Sequence, residues 1–222
     1  MPLGDSLTQA FPGYRAPLFK MLLQAGFNIQ FVGPKAEDAK GIPEGLRRHA
    51  GHGGFGIGPG KSKADQWTGG KGNMAVNIAE WMKADPDIIL LNVGINDYFN
   101  NEDRDYKAED PKQIGARYAA LIDQIHQLKP KATILASSLT PFKWDPQNSG
   151  HSLNSVIPGI VQERSSADRS IRFVDMHDEC GFTTPDWSND GLHPSDSGYN
   201  KMAGVWYHHL NRDLLETAGA NR

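Results

Sequence analysis

The chain has 222 residues, 38% of them hydrophobic, and 23 lysines and arginines against 26 acids leave a net charge of −3. Cations scattered among acids leave no nucleic-acid footprint, and no run approaches the roughly 20 apolar residues of a membrane-spanning helix. A lone cysteine, Cys180, excludes an intrachain disulfide and a cysteine-built zinc cage, and reads as a half-buried small hydrophobe.

A chain of this size can bury a substantial core, so a single domain over residues 1–222 is expected. Met1-Pro2-Leu3 reads as the end of a strand entering the turn Gly4-Asp5-Ser6. Residues 14–25 place Ala16, Leu18, Phe19, Leu22 and Leu23 on one broad face and predict a helix. Residues 28–33 predict a short strand. The stretch 34–72 is glycine-rich and without period, and so long a connection inside a compact domain is usually functional or mobile. It reads as the wall of a site, with a plain surface loop as the alternative.

Residues 75–83 predict a helix, and 87–93 (DIILLNV) a buried strand running into Gly94-Ile95-Asn96-Asp97. Residues 111–128 give the clearest helix, with Pro111 suited to its first turn. A strand at 132–137, a helix near 153–167, a strand at 171–174 and a last helix from Ser195 complete the chain. Strands interleaved with helices imply an α/β fold, a parallel sheet covered on both faces. In such sheets ligands bind beyond the carboxyl ends of the strands. Ser6 follows the first strand, Asn96 the third, and Asp190 and His193 lie after the fifth. All three blocks converge on one edge.

A serine hydroxyl is a poor nucleophile at neutral pH until a base takes its proton, and that base must be oriented by a third group. Ser6 near the start and Asp190-Gly191-Leu192-His193-Pro194 near the end supply these residue types, with the acid three residues before the histidine. Each segment alone also reads as an ordinary turn or a loop before a capped helix. The sequence argues against an α/β-hydrolase, because Gly-x-Ser-x-Gly is not completed: Thr8 stands two positions after Ser6, and the serine sits at the chain start rather than midway. Gly69-Gly70-Lys71-Gly72 is no phosphate cradle either, lacking the full spacing and a preceding strand.

Gly4-Asp5-Ser6, the glycine-rich wall, Gly94-Ile95-Asn96-Asp97 and Asp190 to His193 together resemble the four blocks of the SGNH (GDSL-type) hydrolase superfamily. The stretch MPLGDSLTQ, then Gly13-Tyr14-Arg15, Phe31-Val32-Gly33 and His49-Ala50-Gly51-His52-Gly53-Gly54-Phe55, is similar to carbohydrate esterase family 3, whose members are acetylxylan esterases. The resemblance runs from Met1 to about His209. It implies a three-layer α/β/α sandwich around a mostly parallel five-stranded, flavodoxin-like sheet.

It further implies Ser6 as nucleophile, His193 as general base and then acid, and Asp190 as the group holding the imidazole. The Ser6 and Gly54 backbone N–H groups and the Asn96 amide would form the oxyanion hole. No cofactor or metal is called for. The expected partner is a small-molecule or polysaccharide acetyl ester, with no nucleic acid and no membrane, and the oligomeric state is left open. Relatives are often secreted, so an extracellular location is expected, although the sequence shows no signal peptide and a first strand that reads as truncated. A lipolytic esterase or thioesterase of the same superfamily, or a non-catalytic carbohydrate-binding relative, are the alternatives.

His49 and His52 have metal-like spacing but no third ligand by spacing, so wall-shaping hydrogen bonds are expected of them. Asp97 is expected to structure its turn. His208 and His209 read as surface or edge residues, and His126, His151 and His177 lack a catalytic pattern. Trp67, Trp144 and Trp187 fall in expected loops and could border a cleft by packing or by sugar stacking, whereas Trp81 and Trp206 read as core.

Overall fold

A computed structural model describes residues 1–11, 13–37, 41–60, 62–98, 110–144 and 151–220, without the side chains of 151, 152, 213 and 215–220. The elements are β1 (Pro2–Gly4), α1 (Ser6–Gln9), α2 (Arg15–Gln24), β2 (Ala50–Gly51), α3 (Lys63–Thr68), α4 (Met74–Trp81) and β3 (Ile88–Asn92). Then come α5 (Ile95–Tyr98), α6 (Pro111–Leu128), β4 (Thr133–Ser137), α7 (His151–Asn154), α8 (Ile157–Arg164), β5 (Ile171–Val174), α9 (Met176–Glu179) and α10 (Asp196–Ala220).

The five strands form one sheet in the order β2-β1-β3-β4-β5, and every pair is parallel. A parallel sheet needs cover on both faces, which is why β3 and β4 are apolar nearly throughout. Ile89, Leu90, Leu91, Ile134, Leu135 and Ala136 are all buried. The helices fall into two groups, α2 against α10 and α4 against α6 against α8, giving three layers. Tyr14 and Trp206, with ring centres 6.2 Å apart, join the first group. On α6, Ile114, Tyr118, Leu121, Ile122 and Ile125 make the buried stripe of a helix on a sheet. Asp110 caps that helix by accepting the Lys112 N–H at 2.9 Å, and Pro111 fills its first turn.

β1 is short but central. Leu3 is in register with Ala50 on one side and Leu91 on the other. The winding reverses between β1 and β3, the switch point where open α/β sheets place their ligands. Gly4 makes this spacing possible: a Cβ there would lie 2.0 Å from the Asn92 carbonyl oxygen.

Three expectations give way. Residues 28–33 form no strand; Phe31 is buried and Ile29 and Val32 pack on the core, but the segment makes only one isolated bridge, to Arg47. The edge strand is Ala50–Gly51 instead, brought so close to α1 that a Cβ at Gly51 would lie 2.4 Å from the Gln9 nitrogen. The helix expected at 153–167 is two, because Pro158 lacks an N–H and fits only a first helical turn, so α8 restarts at Ile157. Cys180 is fully buried rather than half-buried, and burial pushes its thiol well above the usual range.

Among the described residues no helix is long and apolar enough to cross a membrane. A groove of about 600 Å³ opens at the amino ends of β1 and β3, lined by residues that include Met1, Phe31, Ile88 and Leu210. The residues singled out above lie at the opposite, carboxyl ends.

Candidate active site

Beyond Gly4 the chain turns at Asp5, whose Oδ1 accepts the Leu7 N–H at 3.1 Å and so caps α1. Ser6 is the first residue of that helix, where a backbone N–H has no intrahelical partner. The far end of α1 is held by Arg15, wholly buried, which donates to the carbonyls of Gln9 at 3.2 Å, Ala10 at 3.3 Å and Arg47 at 3.4 Å. A cation on the last carbonyls of a helix is favourable.

The segment after β5 reaches the same point. His193 Nε2 lies 2.9 Å from Ser6 Oγ, and His193 Nδ1 lies 2.7 Å from Asp190 Oδ2. The other carboxylate oxygen of Asp190 accepts the Leu192 and His193 N–H groups, each at 2.9 Å, and the Ser188 hydroxyl at 2.8 Å. Partial burial pushes this carboxyl up, but the bonds from the His193 ring, the two N–H groups and Ser188 outweigh it. They hold Asp190 well below the usual carboxylate range. The segment is pinned from beneath by Asp186, fully buried, which accepts from Lys201 and Ser197 of α10, each at 2.6 Å. The imidazole is 35% exposed.

The glycine wall closes the other side. The Gly53 N–H donates to Gln9 Oε1 at 2.6 Å, and a Cβ at Gly53 would stand 3.8 Å from that of Ser6. Gly54, next along, has φ +79° and packs towards Ala64 and Trp67. Asn96, at the carboxyl end of β3, donates through its amide to the Phe55 carbonyl at 2.9 Å, which leaves its second amide hydrogen to spare. Asp97 does structure this turn: its buried carboxylate accepts the Ile57 N–H at 2.8 Å and pairs with Arg117 at 3.1 Å.

Burial dominates the electrostatics. Asp5 is fully buried and its carboxyl is pushed up to about 7, with the nearby Asp97 charge adding to the effect and the Leu7, Ile95 and Gly94 N–H groups opposing it. His49 is pushed down to about 3 by burial and then by Arg15; its Nδ1 accepts the Gly51 N–H at 3.0 Å. Its Nε2 lies 2.9 Å from Glu37 but not at a hydrogen-bonding angle. His52 is pushed down to about 4, chiefly by burial, and stacks flat on Trp81 at 4.2 Å. Both imidazoles are therefore neutral at physiological pH; His49 shapes the wall through its hydrogen bond from Gly51, as expected, whereas His52 does so by stacking and its buried Nε2 makes no hydrogen bond to the described residues. Among the described residues no three His, Cys, Asp or Glu side chains gather where a metal could sit.

Of the residues singled out from sequence, Ser6, Asp190 and His193 form one hydrogen-bonded chain, and Gly54 and Asn96 belong to the segments around it. Gln9, Ser188 and the Asp97–Arg117 pair were not singled out for the site, and only the one-turn spacing of Gln9 from Ser6 could have signalled any of them. Trp187 is buried and donates to the Pro141 carbonyl at 2.8 Å, so it lines no cleft. Trp67 lies on a helix, not a loop. His209 is buried beside Glu179 at 2.9 Å, while its neighbour His208 is exposed. The His151 side chain lies outside the described residues.

A hydroxyl hydrogen-bonded to an imidazole that is itself held by a carboxylate can act as a nucleophile. N–H groups near that hydroxyl can receive a developing negative charge.

The profile of the GDSL-like lipase/acylhydrolase family matches residues 3–201. The chain is 31% identical over 147 residues to a candidate endoglucanase X of Acetivibrio thermocellus, covering 66% of this chain and 60% of that protein. It is 28% identical to a multidomain esterase of Ruminococcus flavefaciens over 99% of this chain but 29% of that one, so it spans only part of both curated relatives. The solved structure of a Clostridium thermocellum family 3 carbohydrate esterase is 32% identical, covers 96% of each chain and superposes with a TM-score of 0.72.

Proposed function

Because the chain belongs to the GDSL-like lipase/acylhydrolase family, we propose that it is a serine esterase that removes short acyl groups, acetyl first, from acetylated carbohydrate such as xylan. The observation that carries this reading is the chain of hydrogen bonds from Ser6 through His193 to Asp190, at 2.9 and 2.7 Å. Support for a carbohydrate ester comes from the likeness to the family 3 carbohydrate esterase.

In this reading Ser6 Oγ attacks the ester carbonyl while His193 Nε2 takes its proton, and Asp190 stabilises the imidazolium and fixes its tautomer. The tetrahedral oxyanion rests on the Ser6 and Gly54 N–H groups and the free Asn96 amide hydrogen. Such donors are often the largest single contribution to the rate, roughly 3–4 kcal/mol each. His193 then protonates the sugar oxygen as its bond to the acyl carbon breaks, releasing the sugar hydroxyl and leaving acetyl on Ser6. Water, deprotonated by His193, releases acetate and restores the hydroxyl. An extracellular location goes with this reading, because a polymer substrate of this kind does not enter a cell.

The test is hydrolysis of p-nitrophenyl esters from acetyl to dodecanoyl, with acetate release from acetylated xylan and Ser6→Ala as the control. Serine-dependent turnover that is fastest on acetyl esters, with acetate freed from xylan, is expected. A preference for long chains would move the protein to the lipolytic branch, and a folded wild type without turnover would leave a binding role.

A further inference from the structure

Tryptophan offers more apolar surface than almost any other side chain, and leaving it in water forfeits the gain of burying it. Trp81, Trp187 and Trp206 are buried here, but Trp67 is 75% exposed and Trp144 is 55% exposed. Both exposed indoles abut backbone that carries the candidate site. Trp67, on α3, lies against Gly54: a Cβ built on that glycine would be 3.8 Å from the indole. Trp144, after β4, lies against Gly191, between Asp190 and His193, where a Cβ would be 3.0 Å from two indole carbons. Gly191 has φ +71°, so the crowding and the backbone angle both call for glycine. The Lys143 N–H also donates to the Gly191 carbonyl at 2.9 Å, fixing the Trp144 turn to the His193 segment.

The two indoles lie on different connections at the carboxyl edge. Along the carboxyl edge the succession is β2, β1, β3, β4, so Trp67 follows the strand before Ser6 and Trp144 follows the strand beyond Asn96. Hydrogen-bonding groups stand on or beside the segments that the indoles touch: Gln9 on Gly53, Asn96 on Phe55, and Ser188 and the His193 ring on Asp190.

We infer that Trp67 and Trp144 are the two ends of a carbohydrate-binding surface that carries the sugar rings of an acetylated polysaccharide across Ser6. The inference deepens the esterase reading and rests on it. A pyranose presents axial C–H bonds on its faces and hydroxyls around its rim. The electron-rich face of an indole attracts those C–H bonds, and the polar groups on or beside those segments suit the rim. A lipid surface or a long acyl chain asks instead for contiguous apolar area, and two indoles on separate segments with polar groups beside each do not provide it.

The test is titration calorimetry of an acetylated xylo-oligosaccharide into the Ser6→Ala protein, alone and combined with Trp67→Ala, Trp144→Ala or the corresponding tyrosines. Each alanine is expected to raise Kd by roughly 3- to 10-fold, and each tyrosine to retain most of the affinity. In the wild-type background, kcat/KM on acetylated xylan should fall relative to that on p-nitrophenyl acetate, mainly through KM. The inference is overturned if the Ser6→Ala protein does not bind the oligosaccharide, or if neither alanine changes Kd. The esterase reading has a separate readout, Ser6-dependent hydrolysis of p-nitrophenyl acetate with both tryptophans intact. Binding without that hydrolysis keeps the surface and removes the esterase; hydrolysis without binding does the reverse.

Discussion

The Gln9 side-chain oxygen takes the Gly53 N–H at 2.6 Å from a position one helical turn beyond Ser6. The serine and the glycine wall are thereby referred to the same short helix. Gln9→Ala is expected to let the wall shift and to lower kcat on p-nitrophenyl acetate by roughly 10- to 100-fold, the scale of a misplacement near 1 Å. Gln9→Glu keeps an acceptor and should recover much of the loss. An alanine variant with wild-type kcat would show that the clamp is dispensable.

His193→Ala and Asp190→Ala should differ. In the proposed mechanism the imidazole moves the proton, whereas the carboxylate orients it and is itself held by three other donors. In dissected triads the acid costs on the order of a hundredfold less than the base. Single-turnover rates of the two variants measure the ratio directly. Equal losses would mean that the ring has no orientation without Asp190.

Asp97 and Arg117 make a second, purely positional pair. Arg117→Met would leave a fully buried carboxylate without its cation and close to Asp5. The expected destabilisation is about 3–5 kcal/mol, read from urea unfolding. Arg117→Met with Asp97→Asn should recover part of it, because the neutral amide still accepts the Ile57 N–H. If the double variant is no better than the single, the charge is not the cause.

Asp5 makes stability depend on pH. Its carboxyl rises from 3.8 in the unfolded chain to about 7 in the fold, so between those values the folded state holds a proton that the unfolded state releases. Stability should therefore fall as pH rises through that interval, by at most about 1.4 kcal/mol per unit, with the full penalty present above it and none below. Asp5→Asn keeps the cap on Leu7 and should flatten this part of the curve. Urea midpoints at pH 5 and pH 8 for both proteins decide it, and parallel curves would assign the titration elsewhere.

What could be read from the sequence follows from the range of the forces involved. β3, β4 and α6 announce themselves because burial on two faces or one stripe writes a local pattern of apolar residues. Residues 28–33 carry the same apolar content, but Ile29, Phe31 and Val32 spend it on core packing, and periodicity cannot tell a packed loop from a strand. β2 is the converse, two residues chosen by register with β1 and by the closeness that Gly51 allows. Ser6, Asp190 and His193 stood out through their chemistry and neighbours. Gln9 to Gly53 and Ile57 to Asp97 span 44 and 40 residues and involve backbone, so no local motif marks them. Trp187 and Trp144 looked alike as loop tryptophans; a single carbonyl, that of Pro141, draws one inside.

The hydrogen bond between Ser6 and His193 joins residues 187 positions apart. Contacts so distant are entropically the last to be rewarded as a chain folds. Synthesis proceeds from the amino end, so β1 must wait for β3 to flank it and Ser6 must wait for the last segment to arrive. A ribosome-bound chain that ends before residue 193 holds the hydroxyl without its imidazole partner. Under the proposed esterase reading, turnover serves as a clock for the whole folding process: its onset marks the moment at which the two halves of the site, made first and last, meet.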